Sequence, residues 1–143
     1  MAQANKLHAW AFVAVQAFVL GLLVFLSTDF GLTVRRFELV GTMFEWLGVL
    51  GIVASAITIR SSLTVVPLPK DQGKLGTTGL YKYVRHPMYT SVLLLSLGIS
   101  LLSGNLIKHA LVICLFVLFY YKSQYEERYL RQKYPGYVQY AKR

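Results

Sequence analysis

Four runs of apolar residues, each bounded by charge or by turn-forming residues, constrain this chain more than any other feature. They extend from about Ala9 to Leu26, Leu39 to Ile59, Pro87 to Leu102 and Leu106 to Tyr121. A bilayer is crossed by ~20 apolar residues, with a range of roughly 17–25. The first two runs meet that length. The last two are shorter and are parted only by Ser103-Gly104-Asn105, which reads as a tight turn, so they form a helical hairpin. Inside hydrocarbon each backbone N–H and C=O has to be satisfied within the segment itself, which leaves helices for spans of this kind. The expectation is an all-α, polytopic membrane protein with about four transmembrane helices. The 143 residues, 55% of them hydrophobic, make one domain.

The net charge of +9 raises the question of nucleic acid, and the placement of the charge answers it. With four spans, the N-terminus, the 60–86 loop and the C-terminal tail share one side. That side carries twelve lysines and arginines; the other has three, Arg35, Arg36 and Lys108. Cytoplasmic loops collect positive charge, so both termini are expected in the cytoplasm, with the protein in the inner cell membrane and no nucleic-acid partner. Lys6 ahead of the first run imitates a signal peptide, but no small-x-small site follows at Phe25-Leu26-Ser27, so a retained helix is expected. Cys114 stands alone in an apolar run and reads as a packing residue. No Cys/His cluster, P-loop or supported serine–histidine–acid set is present.

Within the runs a few residues carry expectations of their own. Gln16 is the one clearly polar residue inside the first and should hydrogen-bond a neighbouring helix. Gly48, Gly51 and Ser55 line the second with small side chains that let helix backbones approach. Glu45 lies about six residues into that run; a carboxylate at such depth is either functional or a structural hydrogen-bond partner. The fourth run meets no breaker after Tyr121 and should stay helical to Tyr134, where Pro135-Gly136 ends it. At ~1.5 Å per residue it would be about 43 Å long. It would leave the hydrocarbon and hold Glu126 and Glu127 above the surface. Three stretches therefore divide the domain: two spans in 1–59, a cytoplasmic loop in 60–86, and the hairpin with its tail in 87–143. In the loop, Pro67 and Pro69 favour extended backbone. Gly73, Gly76 and Gly79 allow close approach to a ligand or simply a flexible loop.

Chemistry concentrates in two places. Pro87 suits the first position of a helix, because it has no N–H to lose and its φ is preset. His86, before the proline, is pushed toward extended backbone. Arg85 and His86 should therefore sit just outside a helix N-terminus, a natural place for an anion. Glu126 and Glu127 belong to the antiparallel neighbour and fall on the same cytoplasmic face, so the two groups can meet. Carboxylates suit ammonium groups or sugar hydroxyls, and Tyr81, Tyr83, Tyr89 and Tyr125 add aromatic faces. A dipolar ligand with an aromatic base and a positive centre, such as S-adenosylmethionine, would satisfy all of these. An ion-pair staple between Arg85 and the two glutamates would satisfy them equally.

The string Thr78-Gly79-Leu80-Tyr81-Lys82-Tyr83-Val84-Arg85-His86-Pro87-Met88-Tyr89 resembles the signature of integral-membrane methyltransferases. These are the isoprenylcysteine carboxyl methyltransferases and the related phospholipid N-methyltransferases. Their pattern continues through an apolar hairpin to a Glu-Glu pair, here Glu126-Glu127, and Tyr134-Pro135-Gly136-Tyr137-x-x-Tyr140 is similar to their tail. The resemblance covers roughly Lys74 to Arg143. It implies S-adenosylmethionine as cofactor and a lipophilic small molecule or lipid as substrate, entering from the bilayer. It implies catalytic roles for Arg85, His86, Glu127 and Arg131, with Arg85 holding a carboxylate and Arg131 orienting the acceptor. It implies cofactor contacts from Gly79, Tyr81, Tyr83, His86, Pro87, Tyr89, Glu126 and Glu127. The Gly-x-Gly motif of the phospholipid enzymes is replaced nearby by Gly76-Thr77-Thr78-Gly79. Methyl transfer needs positioning more than proton transfer. A carboxylate acceptor is already anionic, whereas an amine must first lose a proton, for which His86 is the one available base. The expected reaction is carboxylate O-methylation of the isoprenylcysteine type. The alternatives are phospholipid amine methylation, a sterol-reductase-like NADPH enzyme, against which Met88 stands where that family has Asn, and a non-enzymatic membrane module.

Overall fold

Small side chains decide how the helices of this chain meet. In a computed structural model, residues 2–27, 33–59 and 75–142 are described, with side chains from residue 7 onward. The expectations for Pro67, Pro69 and Gly73 lie outside the described residues. Among the described residues five helices follow in order: α1 (Ala2–Phe25), α2 (Glu38–Ile59), α3 (Pro87–Ser103), α4 (Leu106–Lys133) and α5 (Tyr137–Tyr140), with a 3-10 turn at Gly79–Lys82 before α3. No strand occurs among the described residues; an isolated bridge pairs Thr33 with Asn105.

The α2–α3 seam is the most intimate in the fold. Gly41, Gly48 and Ser55 of α2 are buried at seven-residue spacing, which keeps them on one face of the helix. A Cβ on Gly48 would lie 2.5 Å from the backbone nitrogen of Leu95, and one on Gly51 would lie 2.3 Å from Ser91 Oγ. Gly98 of α3 answers from the other side, packed against Glu45 and the carbonyl of Gly41. Gly41 and Gly98 escaped the sequence reading, which saw only half of the seam. Gly48→Leu is expected to wedge the two helices apart and lower the unfolding temperature in detergent, an overpacking cost of about 3 kcal/mol. Gly21→Leu, at a position with nothing within 4 Å of its Cβ, is the matched control and should leave that temperature unchanged.

The hairpin between α3 and α4 forms where the sequence placed it. Gly104 takes the left-handed conformation, with φ 60°, and ends α3 as a glycine cap does. Asn105 then caps α4: its Oδ1 accepts from the N–H groups of Ile107 at 2.9 Å and Lys108 at 3.2 Å. The segment before α2 is tied to the same tip by Val34 N–H donating to Gly104 O at 2.7 Å. Lys108 is buried beside this turn.

Three helices, α1, α2 and α4, are long and apolar enough to cross a membrane; α3, with 17 residues, is shorter. Bounded by Pro87 and Gly104, α3 extends only about 25 Å at ~1.5 Å per residue, against ~30 Å of hydrocarbon. The third apolar run, short already in the sequence, is thus a shorter apolar helix packed against α2 and α4. Large apolar side chains such as Trp10, Phe18, Trp46, Leu50, Ile113 and Phe116 point outward, as they do where lipid replaces water. The interior is small: Val19, Leu115 and Phe119, with Tyr89, Val92 and Leu111 against them. α1 joins this core along α4, and Gln16 makes the interhelical bond expected of it by accepting from Lys122 Nζ. Glu45, its methylene against Gly98, makes no hydrogen bond or ion pair among the described residues.

Candidate active site at the α3–α4 mouth

Local backbone rules place the first half of the site. Pro87 is the first residue of α3, and His86 precedes it at φ −126°, ψ 62°, outside the helical region as a pre-proline residue should be. The 3-10 turn leads in. It begins at Gly79, whose positive φ of 57° brings it against Thr58 of α2. Helix continuity places the second half. α4 runs unbroken through Tyr121 to Lys133, so Glu126 and Glu127 stand about 8 Å past the apolar stretch, at ~1.5 Å per residue.

The two halves meet. Arg85 Nη1 lies 3.0 Å from Glu127 Oε1, and His86 Nε2 lies 3.3 Å from the same oxygen. His86 Nδ1 lies 3.5 Å from Glu126 Oε2. Tyr89, one helical turn into α3, donates its hydroxyl to Glu126 Oε2 at 2.8 Å. From below, Arg131 Nη2 reaches Glu127 Oε2 at 3.3 Å, one turn along α4. The Glu127 carboxylate is almost wholly buried and receives three cationic side chains, while the guanidinium groups of Arg85 and Arg131 stay about half exposed. Such a carboxylate is worth far more than a surface pair, because losing it strands charge that water reaches poorly.

The imidazole of His86 is pulled two ways. Burial lowers its pKa, but the Glu126 and Glu127 carboxylates outweigh this and hold it above the ordinary histidine value. Both ring nitrogens face carboxylate oxygens, and only the doubly protonated ring donates from both. The ring stacks on Tyr89, centroids 5.4 Å apart, and Tyr89 stacks in turn on Phe119 at 4.8 Å. Beneath this column the ammonium of Lys122 sits 5.2 Å from the Tyr89 ring centre. Tyr81 stands at the rim; burial, with the Glu126 charge behind it, pushes its phenol up to about 12.

Arg85, His86, Pro87, Tyr89, Glu126, Glu127 and Arg131 are therefore gathered at one mouth. Gly79 and Tyr83 are not. Gly79 serves the turn against α2, and Tyr83 is 80% exposed, carrying Lys82 Nζ over its ring. Tyr83 does line, with Tyr81, Arg85 and Tyr140, a cavity of about 310 Å³ that adjoins the cluster through Arg85. Tyr125 turns to α1, its ring 5.6 Å from that of Phe12. Three site neighbours escaped the sequence reading. Lys122 precedes Glu126 by one helical turn, a spacing that predicts a pair. Tyr137 and Tyr140 arrive only because Pro135-Gly136 folds the tail back, with Tyr140 donating its hydroxyl to the carbonyl of Tyr81.

No solved structure matches the chain. It is 36% identical over 76 residues to protein-S-isoprenylcysteine O-methyltransferase B of Arabidopsis thaliana, a stretch that is 52% of this chain and 39% of that relative. The aligned part thus spans well under half of the plant protein. The sequence model of the phospholipid methyltransferases matches residues 37–136, which takes in α2, the α3–α4 hairpin and every member of the charged cluster. The chain belongs to the phospholipid methyltransferase family.

Proposed function

We propose that this membrane methyltransferase uses S-adenosylmethionine to methylate a lipophilic acceptor at the cytoplasmic face, and that the acceptor atom is a carboxylate oxygen of the isoprenylcysteine type. The observation that supports it is the meeting of Arg85 and His86 with Glu126 and Glu127 at the end of an apolar hairpin, inside the family match. The residues present fit the cofactor chemically. Two carboxylates suit an ammonium group, a half-exposed guanidinium with unused N–H donors suits a carboxylate, and tyrosine faces suit a base or a sulfonium. When bound, S-adenosylmethionine supplies an electrophilic methyl group on a positive sulfur.

The protein's share of the work is positioning. Glu127 fixes Arg85 and Arg131; Glu126 and Glu127 together fix His86; Tyr89 is locked by its bond to Glu126 and by the ring column beneath it. Such a constellation cannot shift one member without breaking a bond of another. The exposed apolar face of α4, with Ile113, Phe116 and Val117, gives a lipid tail a lateral route to the mouth.

The state of His86 favours a carboxylate over an amine acceptor. Its nitrogens face two carboxylates, which raise its pKa and hold its proton, so it is less free than an ordinary histidine to take a proton from an amine. The reading is tested by transfer of labelled methyl from S-adenosylmethionine to N-acetyl-S-farnesylcysteine by the purified protein in nanodiscs. The rate per bound substrate is expected to stay flat from about pH 7 to 9, where a carboxylate has no proton left to lose. A rate climbing tenfold per pH unit on a phospholipid amine, with none on the carboxylate, would replace this acceptor by the amine.

A further inference from the structure

Tyr137 is the largest fully buried side chain among the described residues, at 1% exposure, and it lies one residue past the stretch matched by the family. Its hydroxyl oxygen is buried and makes no hydrogen bond with any described residue. An apolar ring in that place would satisfy packing at less cost, since a buried hydroxyl without a partner loses its water and gains nothing. Its surroundings are not apolar. The hydroxyl lies in the field of Glu127, Arg85 and Glu126; burial first, and the glutamates next, raise its pKa, so it stays protonated and keeps a proton to donate when an acceptor arrives. Nor is it loosely held. The backbone N–H of Tyr137 donates to Tyr134 O at 2.9 Å, and one turn later Tyr140 pins α5 to the carbonyl of Tyr81. The ring is thus clamped between the end of α4 and the turn that leads to Arg85.

The geometry points to Tyr137 as a ligand-binding residue, whose hydroxyl donates to a carboxylate taken up beside Arg85. The inference rests on the proposed methyl-transfer reading and adds to it a donor from the tail. A fixed phenol in the field of a half-exposed guanidinium adds a second donor for one anionic group. A carboxylate has lone pairs for both, whereas an ammonium or a sulfonium has none. Glu127, which already engages Arg85, keeps the guanidinium in place while its remaining N–H groups stay available. Either the amino-acid end of the methyl donor or the acceptor can bring that carboxylate, and the binding arms below separate the two.

The test is Tyr137→Phe, which removes the hydroxyl and nothing else, compared with Tyr140→Phe, which removes a hydroxyl that is bonded. Binding of S-adenosylhomocysteine, of 5′-methylthioadenosine (which lacks the amino-acid end) and of N-acetyl-S-farnesylcysteine is measured in nanodiscs, with unfolding temperature alongside. For Tyr137→Phe the unfolding temperature is expected to hold or rise, while the carboxylate-bearing ligand that Tyr137 serves binds about tenfold to a hundredfold more weakly, the equivalent of one charge-assisted hydrogen bond. Loss with S-adenosylhomocysteine but not 5′-methylthioadenosine assigns the donor's carboxylate. Loss confined to N-acetyl-S-farnesylcysteine assigns the acceptor's. Tyr140→Phe should lower the unfolding temperature. If wild type binds and Tyr137→Phe binds all three ligands equally well, or loses affinity only together with stability, the inference fails and the methyl-transfer reading stands. If wild type binds none of them, both fall.

Discussion

Glu127→Ala is expected to abolish measurable binding of S-adenosylhomocysteine and to destabilise the protein by about 3 kcal/mol, toward the low end for breaking a buried pair because its arginine partners are half exposed. The reason is the number of groups that depend on one carboxylate. Arg85 at 3.0 Å, His86 at 3.3 Å and Arg131 at 3.3 Å all converge on Glu127. Removing it leaves three cationic side chains crowded at one mouth with only Glu126 to answer them. The measurement is a pair: unfolding temperature and ligand affinity on the same preparation. The pair separates the methyltransferase from a plain helix staple. A staple loses stability alone; a site loses affinity more than a hundredfold. Glu127→Gln, which keeps the shape and one acceptor oxygen, should recover much of the stability and little of the affinity, since an amide neither neutralises Arg85 nor attracts an ammonium group.

His86→Gln carries the second large effect, and its size should depend on pH in a stated direction. His86 keeps its proton above the ordinary histidine value because two carboxylates outweigh its burial. A raised folded-state pKa stabilises the protein fully at pH values below the unfolded value of about 6.5, and the contribution fades as pH rises through the raised folded value. At pH 6 the variant should therefore be less stable than wild type by about 2 kcal/mol, the worth of a charge-assisted hydrogen bond in a screened site. The gap should narrow as the medium is made alkaline. Thermal unfolding of both proteins across that range checks it. A gap that widens with pH would mean that His86 is neutral in the folded protein and that its tautomer, not its charge, matters. Ligand affinity should fall at every pH, because the stack on Tyr89 is lost with the ring.

Much of this arrangement follows from rules that act over a few residues, which is why it was legible in the sequence. Pro87 opens α3 and sets His86 aside from the helix; Ser103-Gly104-Asn105 closes one helix and caps the next; the absence of a breaker after Tyr121 carries α4 on to Lys133. Convergence of Arg85 with Glu127 needed one step more, the antiparallel hairpin, and counting apolar runs supplied it. Three features resisted because they depend on how separate helices fit. The part of the seam made by Gly41 and Gly98 is visible only once α2 lies against α3. Tyr83 shares its string with Tyr81 yet faces outward, since a 3-10 turn of four residues presents the two on different sides. Lys122 follows the aromatic pair Tyr120 and Tyr121 and carries no sign of a site role, yet it turns inward to Tyr89 and Gln16. The tail is the same lesson in reverse: Pro135-Gly136 announces a helix end, but where Tyr137 and Tyr140 land is set by the turn at Tyr81.

The central claim is that Arg85 and His86 join Glu126 and Glu127 to hold one small dipolar molecule. Calorimetric titration of S-adenosylhomocysteine into the purified protein tests it most directly. The account predicts one-site binding in the micromolar range in nanodiscs, lost in Glu127→Ala. The absence of heat at millimolar ligand, in detergent and in nanodiscs alike, from a protein that unfolds cooperatively, would contradict it.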